Sequence, residues 1–253
     1  MIEPCERMLF VGSCFADEMS RRFSDNAFRV AANPFGVMYN PASILHTVER
    51  LDEPFDTAVL TLGTNHVYIL RETGEIVDNC EKRPQQLFEE RELSVDECAD
   101  NLEKAVSLLR SHNPHVKIIL TVSPIRYRKY GYHGSQLSKA TLLLATEKVL
   151  RASGAYYFPA YEIVSDELRD YRFYKPDMLH PSEQAVDYIY EQFADACFSD
   201  ATKTFLKKWA PLKAALAHRP FNAESEEYRQ FISKIKLRIE ELSRKYPNFA
   251  VEF

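Results

Sequence analysis

Asp177 and His180 stand three residues apart in the run Asp177-Met178-Leu179-His180-Pro181, just ahead of a segment with helical spacing. A carboxylate at that separation can orient the imidazole of its own short loop, and the imidazole can then serve as a general base. The plain alternative is a surface loop with an incidental histidine. Near the other end of the chain, Gly12-Ser13-Cys14 sets a hydroxyl beside a thiol at the start of a predicted helix. Unpaired amides at a helix N-terminus stabilise a thiolate, and a protonated histidine nearby would lower the thiol pKa further. A third group is the loop Arg126-Tyr127-Arg128-Lys129-Tyr130-Gly131-Tyr132-His133-Gly134, which interleaves cations with aromatic rings. Such a loop suits a sugar or an anionic ligand, with Arg126 and Arg128 as the contacts, although a solvated loop has the same look. His112-Asn113-Pro114-His115 resembles a metal pair only superficially, because it falls at a helix-to-strand turn on the opposite edge; no metal site is expected there.

The elements that must hold these groups follow from apolar periodicity. Residues 8–11, 28–31, 57–62, 116–122 and 155–158 read as strands, the first and third ending at Gly12 and Gly63. Helical spacing covers 15–23, 41–51, 94–109, 136–151, 161–168 and 181–198, with Ser94 and Glu97 forming a capping-box pattern. A small hairpin, 67–70 with 75–77, is expected around Thr73-Gly74. Strands alternating with helices imply a parallel sheet covered on both faces. Beyond residue 200 no strand pattern remains. Two helices, 202–216 and 224–246, are expected there, with Trp209, Leu212 and Leu216 as core or docking contacts. The chain therefore divides into a body, 1–199, and a helical extension, 200–253, packed on or beside it.

Ligands of open parallel sheets bind beyond the carboxyl ends of the strands. In order, those ends deliver Gly12-Ser13-Cys14, Asn33-Pro34-Phe35-Gly36, Gly63-Thr64-Asn65-His66 and Ser123-Pro124-Ile125-Arg126, and the fifth is followed by the Asp177–His180 block. That ordered set resembles the SGNH (GDSL-like) hydrolase superfamily. More closely, it resembles the GSCFA family, named for the motif present here as Gly12-Ser13-Cys14-Phe15-Ala16. Further matching stretches are Leu62-Gly63-Thr64, Thr121-Val122-Ser123-Pro124 and Gln136-Leu137-Ser138-Lys139-Ala140, so that the resemblance covers roughly residues 7–198.

The resemblance implies a flavodoxin-like, three-layer α/β fold with strand order 2-1-3-4-5, and hydrolysis of an acyl ester, including esters of carbohydrates. Acyl transfer is the close relative, and an inert carbohydrate- or partner-binding module on the same fold is the competing class. An ungapped overlay of the superfamily's Gly-Asp-Ser block puts Ser13 on the Asp and Cys14 on the nucleophilic Ser. Cys14 then attacks; alternatively Ser13 Oγ attacks, with Cys14 a small buried hydrophobe, or neither reacts. His180 is the base and Asp177 its orienting partner. The superfamily's oxyanion donors fall on Gly36 and on the Asn65 side chain. His66 competes with His180 as base or touches substrate, but it also begins the expected hairpin.

Composition narrows the classes further. The 253 residues are 45% hydrophobic and 27% charged, which is ordinary globular usage. Seven glycines, against a usual share of about 7% of residues, leave no Gly-x-Gly-x-x-Gly or Walker loop, and no cofactor is implied. Five cysteines without a C-x-x-C pair argue for reduced thiols. Net charge is −5, with residues 200–253 carrying 11 Lys+Arg against 7 Asp+Glu. A mildly acidic body does not suggest nucleic acid, and the basic tail reads as a solvated helix face. No apolar run reaches the roughly 20 residues of a membrane span, and Glu3 and Glu6 interrupt the only leader-like start; a cytoplasmic protein is expected.

Overall fold

The computed structural model describes residues 1–218, 221 and 224–251. The apolar runs form one parallel sheet of β1 (Arg7–Gly12), β2 (Arg29–Ala32), β3 (Thr57–Leu62), β7 (Lys117–Val122) and β8 (Tyr156–Tyr157), in the order β2-β1-β3-β7-β8. Counted within this sheet, that is the expected 2-1-3-4-5. Side chains alternate across it. Leu9, Val11, Ala58, Leu60, Ile118 and Leu120 face one core, while Met8, Phe10, Val59 and Ile119 face the other. The first core is closed by α2 (Pro41–Glu49), α3 (Val95–His112) and α4 (Gly131–Ser153). The second is closed by α1 (Cys14–Ser24), α6 (Glu183–Cys197) and α5 (Ala160–Glu162), which runs on as a π-helical turn, Ile163–Leu168. The result is the three-layer, flavodoxin-like arrangement.

Local chemistry starts these helices where the sheet needs them. Ser13, Asn40, Ser94 and Ser182 each accept a first-turn amide. At Ser94 the capping box is complete, with Glu97 reaching back to the Ser94 amide at 2.8 Å.

Two features depart from the expected elements. The hairpin β4 (His66–Leu70) and β5 (Ile76–Val77) gains a third strand, β6 (Phe88–Glu92), giving an antiparallel sheet ordered β5-β4-β6. And α4 begins at Gly131, so Tyr132, His133 and Gly134 belong to a helix rather than to the basic aromatic loop.

The extension forms α7 (Asp200–Ala217) and α8 (Glu226–Lys245). Phe205, Trp209, Leu212, Ile235 and Ile239 pack with Cys5 and Ala27 of the body, and the Trp209 indole donates to the Asp25 carbonyl at 3.1 Å. Leu216, expected among these contacts, is exposed. Residues 219, 220, 222, 223, 252 and 253 of the expected extension lie outside the described residues. The chain start is tied to the α6–α7 junction. Ile2 donates to the Cys197 carbonyl at 2.7 Å, and its own carbonyl accepts from the Ser199 amide at 3.1 Å and the Thr202 hydroxyl at 2.8 Å. Among the described residues, no helix is long and apolar enough to cross a membrane.

Candidate active site

Where β1 passes into α1 the backbone has no room for a side chain. Gly12 has φ 142°, and a Cβ there would run into the Thr61 carbonyl of β3. Its amide donates to Asn33 Oδ1 at 2.8 Å, and its carbonyl accepts from Met38 at 2.9 Å, which holds the loop after β2 against this strand end. Ser13 is fully buried; its Oγ accepts from the Phe15 amide at 3.3 Å and lies 3.4 Å from Thr61 Oγ1. Cys14, the first residue of α1, is half-buried and its thiol is free. Burial pushes this thiol's pKa up, against a hydrogen bond from the Tyr39 hydroxyl that lowers it, and the Asp17 carboxylate raises it further. The expectation of a lowered thiol pKa is thereby corrected: desolvation and the acidic first turn of α1 outweigh the amides of its N-terminus.

The Asp177–His180 block folds back on itself. His180 Nδ1 lies 2.6 Å from Asp177 Oδ2, while Asp177 Oδ1 accepts from the Leu179 and His180 amides at 2.8 and 3.0 Å. Those contacts, the His180 amide first, hold the Asp177 carboxyl down at about 2. The loop is anchored on both sides. Arg126, just past β7, donates its amide to the Leu179 carbonyl at 3.1 Å. Lys175 donates its amide to the His180 carbonyl at 2.7 Å and pairs its ammonium with Glu18 of α1 at 3.0 Å. The histidine loop thus sits at the carboxyl edge of the sheet, tethered to the helix that Cys14 begins.

Gly36 and Asn65 are engaged elsewhere. The Gly36 amide donates to Asn33 at 2.8 Å, closing a turn in which Gly36 takes φ 97°. Asn65 is buried, and its Nδ2 donates to the Leu93 carbonyl at 2.8 Å, between the two sheets. His66 stacks on Tyr130 with ring centroids 3.5 Å apart and planes 5° from parallel. Its ring nitrogens lie 3.8 Å from Glu90 and 3.7 Å from Glu92, and burial lowers its pKa against the pull of both carboxylates. His66 is part of the packing of the second sheet rather than a partner of Cys14.

The motifs give three neighbours no role, although Tyr127 stands in the basic aromatic loop and Lys139 in the matching stretch Gln136-Leu137-Ser138-Lys139-Ala140. The Tyr39 carbonyl accepts both the Gly63 and Thr64 amides, at 3.0 and 2.8 Å, fastening the loop over the end of β3. A Cβ at Gly63 would run into the Tyr127 hydroxyl, which is buried without a partner. Beneath them Lys139 is 2% exposed, and its ammonium nitrogen donates to the Gly63 and Ser123 carbonyls, each at 2.7 Å. The rings of Tyr127 and Tyr161 lie 5.2 and 5.8 Å from it. With no carboxylate beside it, burial pushes its pKa down to about 7. A sequence signal did exist for Lys139, because it shares helical spacing with the buried Leu142, Ala145 and Val149.

Arg126 and Arg128 border a cavity of about 460 Å³ whose walls include Leu179, the residue before His180. The Arg126 guanidinium lies over the rings of Tyr174 and Tyr171, at 4.2 and 5.2 Å. Among the described residues no group of three or more His, Cys, Asp or Glu side chains could hold a metal ion.

The GSCFA family model matches residues 7–58 and 52–193, and a second model, described as the C-terminal domain of GSCFA domain proteins, matches residues 209–253. No curated protein matches the sequence. Among solved structures, a Streptococcus pneumonia protein named with reference to platelet activating factor is 18% identical, with 78% of this chain and 86% of that one covered at a TM-score of 0.53. A catalytic mutant of an acetylxylan esterase from Geobacillus stearothermophilus is 14% identical, with 77% and 94% covered at 0.50. A member of the lipolytic G-D-S-L family from Veillonella parvula is 12% identical, with 76% and 97% covered at 0.49. At these identities the likeness of the first two concerns the fold.

Proposed function

Because this chain belongs to the GSCFA family, on an SGNH-type hydrolase fold, we propose that it cleaves a small-molecule or carbohydrate ester through Cys14, with His180 as base and Asp177 orienting it. The observation that carries the reading is the Asp177–His180 pair, 2.6 Å apart, on a loop strapped to α1 by the Lys175–Glu18 ion pair. Cys14 is favoured over Ser13 because Ser13 Oγ is fully buried and occupied as the cap of α1, whereas Cys14 is half-buried with a free thiol.

The raised thiol pKa means that Cys14 rests protonated at neutral pH. Attack is therefore coupled to proton transfer. His180 takes the thiol proton as sulfur bonds to the ester carbonyl carbon, and the carbon–alkoxide bond then breaks as His180 returns that proton to the leaving oxygen. Water attacks the thioester next, giving its proton to His180, and the sulfur leaves with that proton. Asp177, ionised throughout, fixes the imidazole tautomer and balances its transient charge. The Phe15 and Ala16 amides are taken by Ser13, so the backbone amide of Cys14, which faces its own sulfur, is the donor assigned to the developing oxyanion.

A second reading is favoured by one observation. The Gly36 amide and Asn65 Nδ2 are both bonded internally, which suits a fold that binds its ligand without turnover. Hydrolysis of para-nitrophenyl acetate, with intact-mass detection of an acetyl adduct, separates the two. The adduct is expected in the parent, absent in Cys14→Ala and retained in Ser13→Ala. The reverse ranking assigns attack to Ser13. Absence of both turnover and adduct in the parent supports binding alone.

A further inference from the structure

The cavity beside His180 is unusual for its charge. Arg126 and Arg128 line it together with Tyr132, Tyr171, Met178 and Leu179, and no aspartate or glutamate contributes to its walls. This occurs in a chain of net charge −5, in which Arg22, Arg50, Lys129 and Lys175 all have carboxylate partners. The Arg128 side chain has neither an ion pair nor a hydrogen bond among the described residues, and the Arg126 guanidinium meets tyrosine rings and the Tyr174 hydroxyl. The Arg126 backbone is held by the Leu179 carbonyl at 3.1 Å, so its main chain is fixed relative to the histidine loop.

We infer that this cavity receives an anionic group of the substrate, a carboxylate or phosphate carried one short arm away from the ester, against the guanidinium groups of Arg126 and Arg128. The inference rests on the hydrolase reading for the word substrate, but not for the binding of the anion. A guanidinium stays charged at every accessible pH and offers its N–H donors in a planar fork that matches two oxygens of a carboxylate or phosphate. The rings of Tyr171 and Tyr174 flank the Arg126 guanidinium, and the Tyr174 hydroxyl takes one of its five N–H donors. The volume, about 460 Å³, admits a ring or short chain with its anion and is large for a bare inorganic ion. The exposed ring of Tyr132 at the mouth and the apolar Met178 and Leu179 give such a ring or chain its contacts.

Three esters test the assignment, each enzymic rate taken relative to that ester's own spontaneous hydrolysis: para-nitrophenyl acetate, the para-nitrophenyl half-ester of adipate, whose chain is too long for ready attack by its own carboxylate, and para-acetoxybenzoate. The last two carry the anion on the acyl and alcohol sides respectively. The variants are Arg128→Gln, whose side chain has no partner to lose, and Arg126→Gln with Arg128→Gln. At least one anionic ester is expected to have a higher kcat/KM than the neutral one, and each variant is expected to lower that ratio by about 10- to 100-fold. Phenyl phosphate, titrated calorimetrically at low salt, is expected to bind the parent and to lose affinity by a similar factor in Arg128→Gln. Unchanged ester ratios together with unchanged phenyl phosphate affinity overturn the inference. Turnover through Cys14 with no arginine effect overturns the anion site and leaves the hydrolase. Arg128-dependent phenyl phosphate binding without turnover of any ester leaves the anion site and overturns the hydrolase.

Discussion

Replacing Lys139 with methionine removes a buried amine while keeping a long, flexible side chain in the same space. In the folded chain the amine's pKa is pushed from its ordinary 10.5 to about 7, so between those values the unfolded chain binds a proton that the folded one does not. Stability therefore rises with pH across this window. The penalty for burying the amine is absent above about 10.5, grows as pH falls, and is complete below about 7. Near pH 7 the folded amine is half protonated, and each pH unit of full mismatch is worth about 1.4 kcal/mol. Integrated from about pH 7 to about pH 9, the linkage amounts to about 2 kcal/mol. Lys139→Met lacks it, and it also loses the hydrogen bonds to the Gly63 and Ser123 carbonyls, an offset that does not change with pH. Urea unfolding of parent and variant at both pH values gives the difference in unfolding free energy, in which every other titrating group cancels. That difference should move by about 2 kcal/mol in favour of the parent at the higher pH. Curves that stay parallel with pH would refute the reasoning and require the amine to be solvated or paired in solution.

Three further outcomes are expected. Asp177→Asn retains an acceptor for the Leu179 and His180 amides, so the loop should persist while kcat on a responsive ester falls by about 10²- to 10⁴-fold; a loss under threefold would remove Asp177 from the reaction. Tyr39→Phe deletes the hydrogen bond that lowers the Cys14 pKa, so iodoacetamide should label Cys14 more slowly at neutral pH, with the rate–pH curve moved upward, whereas an unmoved curve would mean that the phenol does not reach the sulfur. Trp209→Ala should cost about 3–5 kcal/mol in urea unfolding, because the indole fills the contact with Phe249 at 5.3 Å and bonds the Asp25 carbonyl; a cost below about 1 kcal/mol would show that α7 does not stabilise the body.

The central sheet is legible in the sequence because its inner strands β1, β3 and β7 are written as apolar runs broken only by threonine, and the inner strands of a doubly covered parallel sheet have no polar face to confuse the pattern. The second sheet is legible only in part. β6 reads Phe-Glu-Glu-Arg-Glu, and its single apolar residue gives no periodicity; the strand exists because β4 offers it a ladder, from His66 opposite Glu92 to Leu70 opposite Phe88. Among the site residues, the Asp177–His180 contact is local and can be inferred from its spacing. The contacts of Gly36 and Asn65 are set by which carbonyls happen to face them, Asn33 and Leu93, and no motif encodes that. Nor does spacing show that Lys139, on a buried helical stripe, meets two strand-end carbonyls in place of a carboxylate.

The knot of hydrogen bonds around Ile2 bears on how the chain is made. Ribosomes deliver Ile2 well before its partners: Cys197, Ser199 and Thr202 come some two hundred residues later, and Ile235 and Ile239, which complete the cluster over Cys5 and Ala27, come later still. At roughly 5–20 residues per second, that interval lasts on the order of ten to fifty seconds. Throughout it the sheet edge at β1 and β2 can assemble, but the apolar patch beside it stays bare, since the helices that cover it do not yet exist. The nascent protein thus passes through a stage with the carboxyl edge of its sheet formed and its opposite flank sticky, the kind of surface that holding chaperones and neighbouring nascent chains compete for. Slowing translation between α6 and α8 would lengthen that exposure without altering a single residue of the finished molecule.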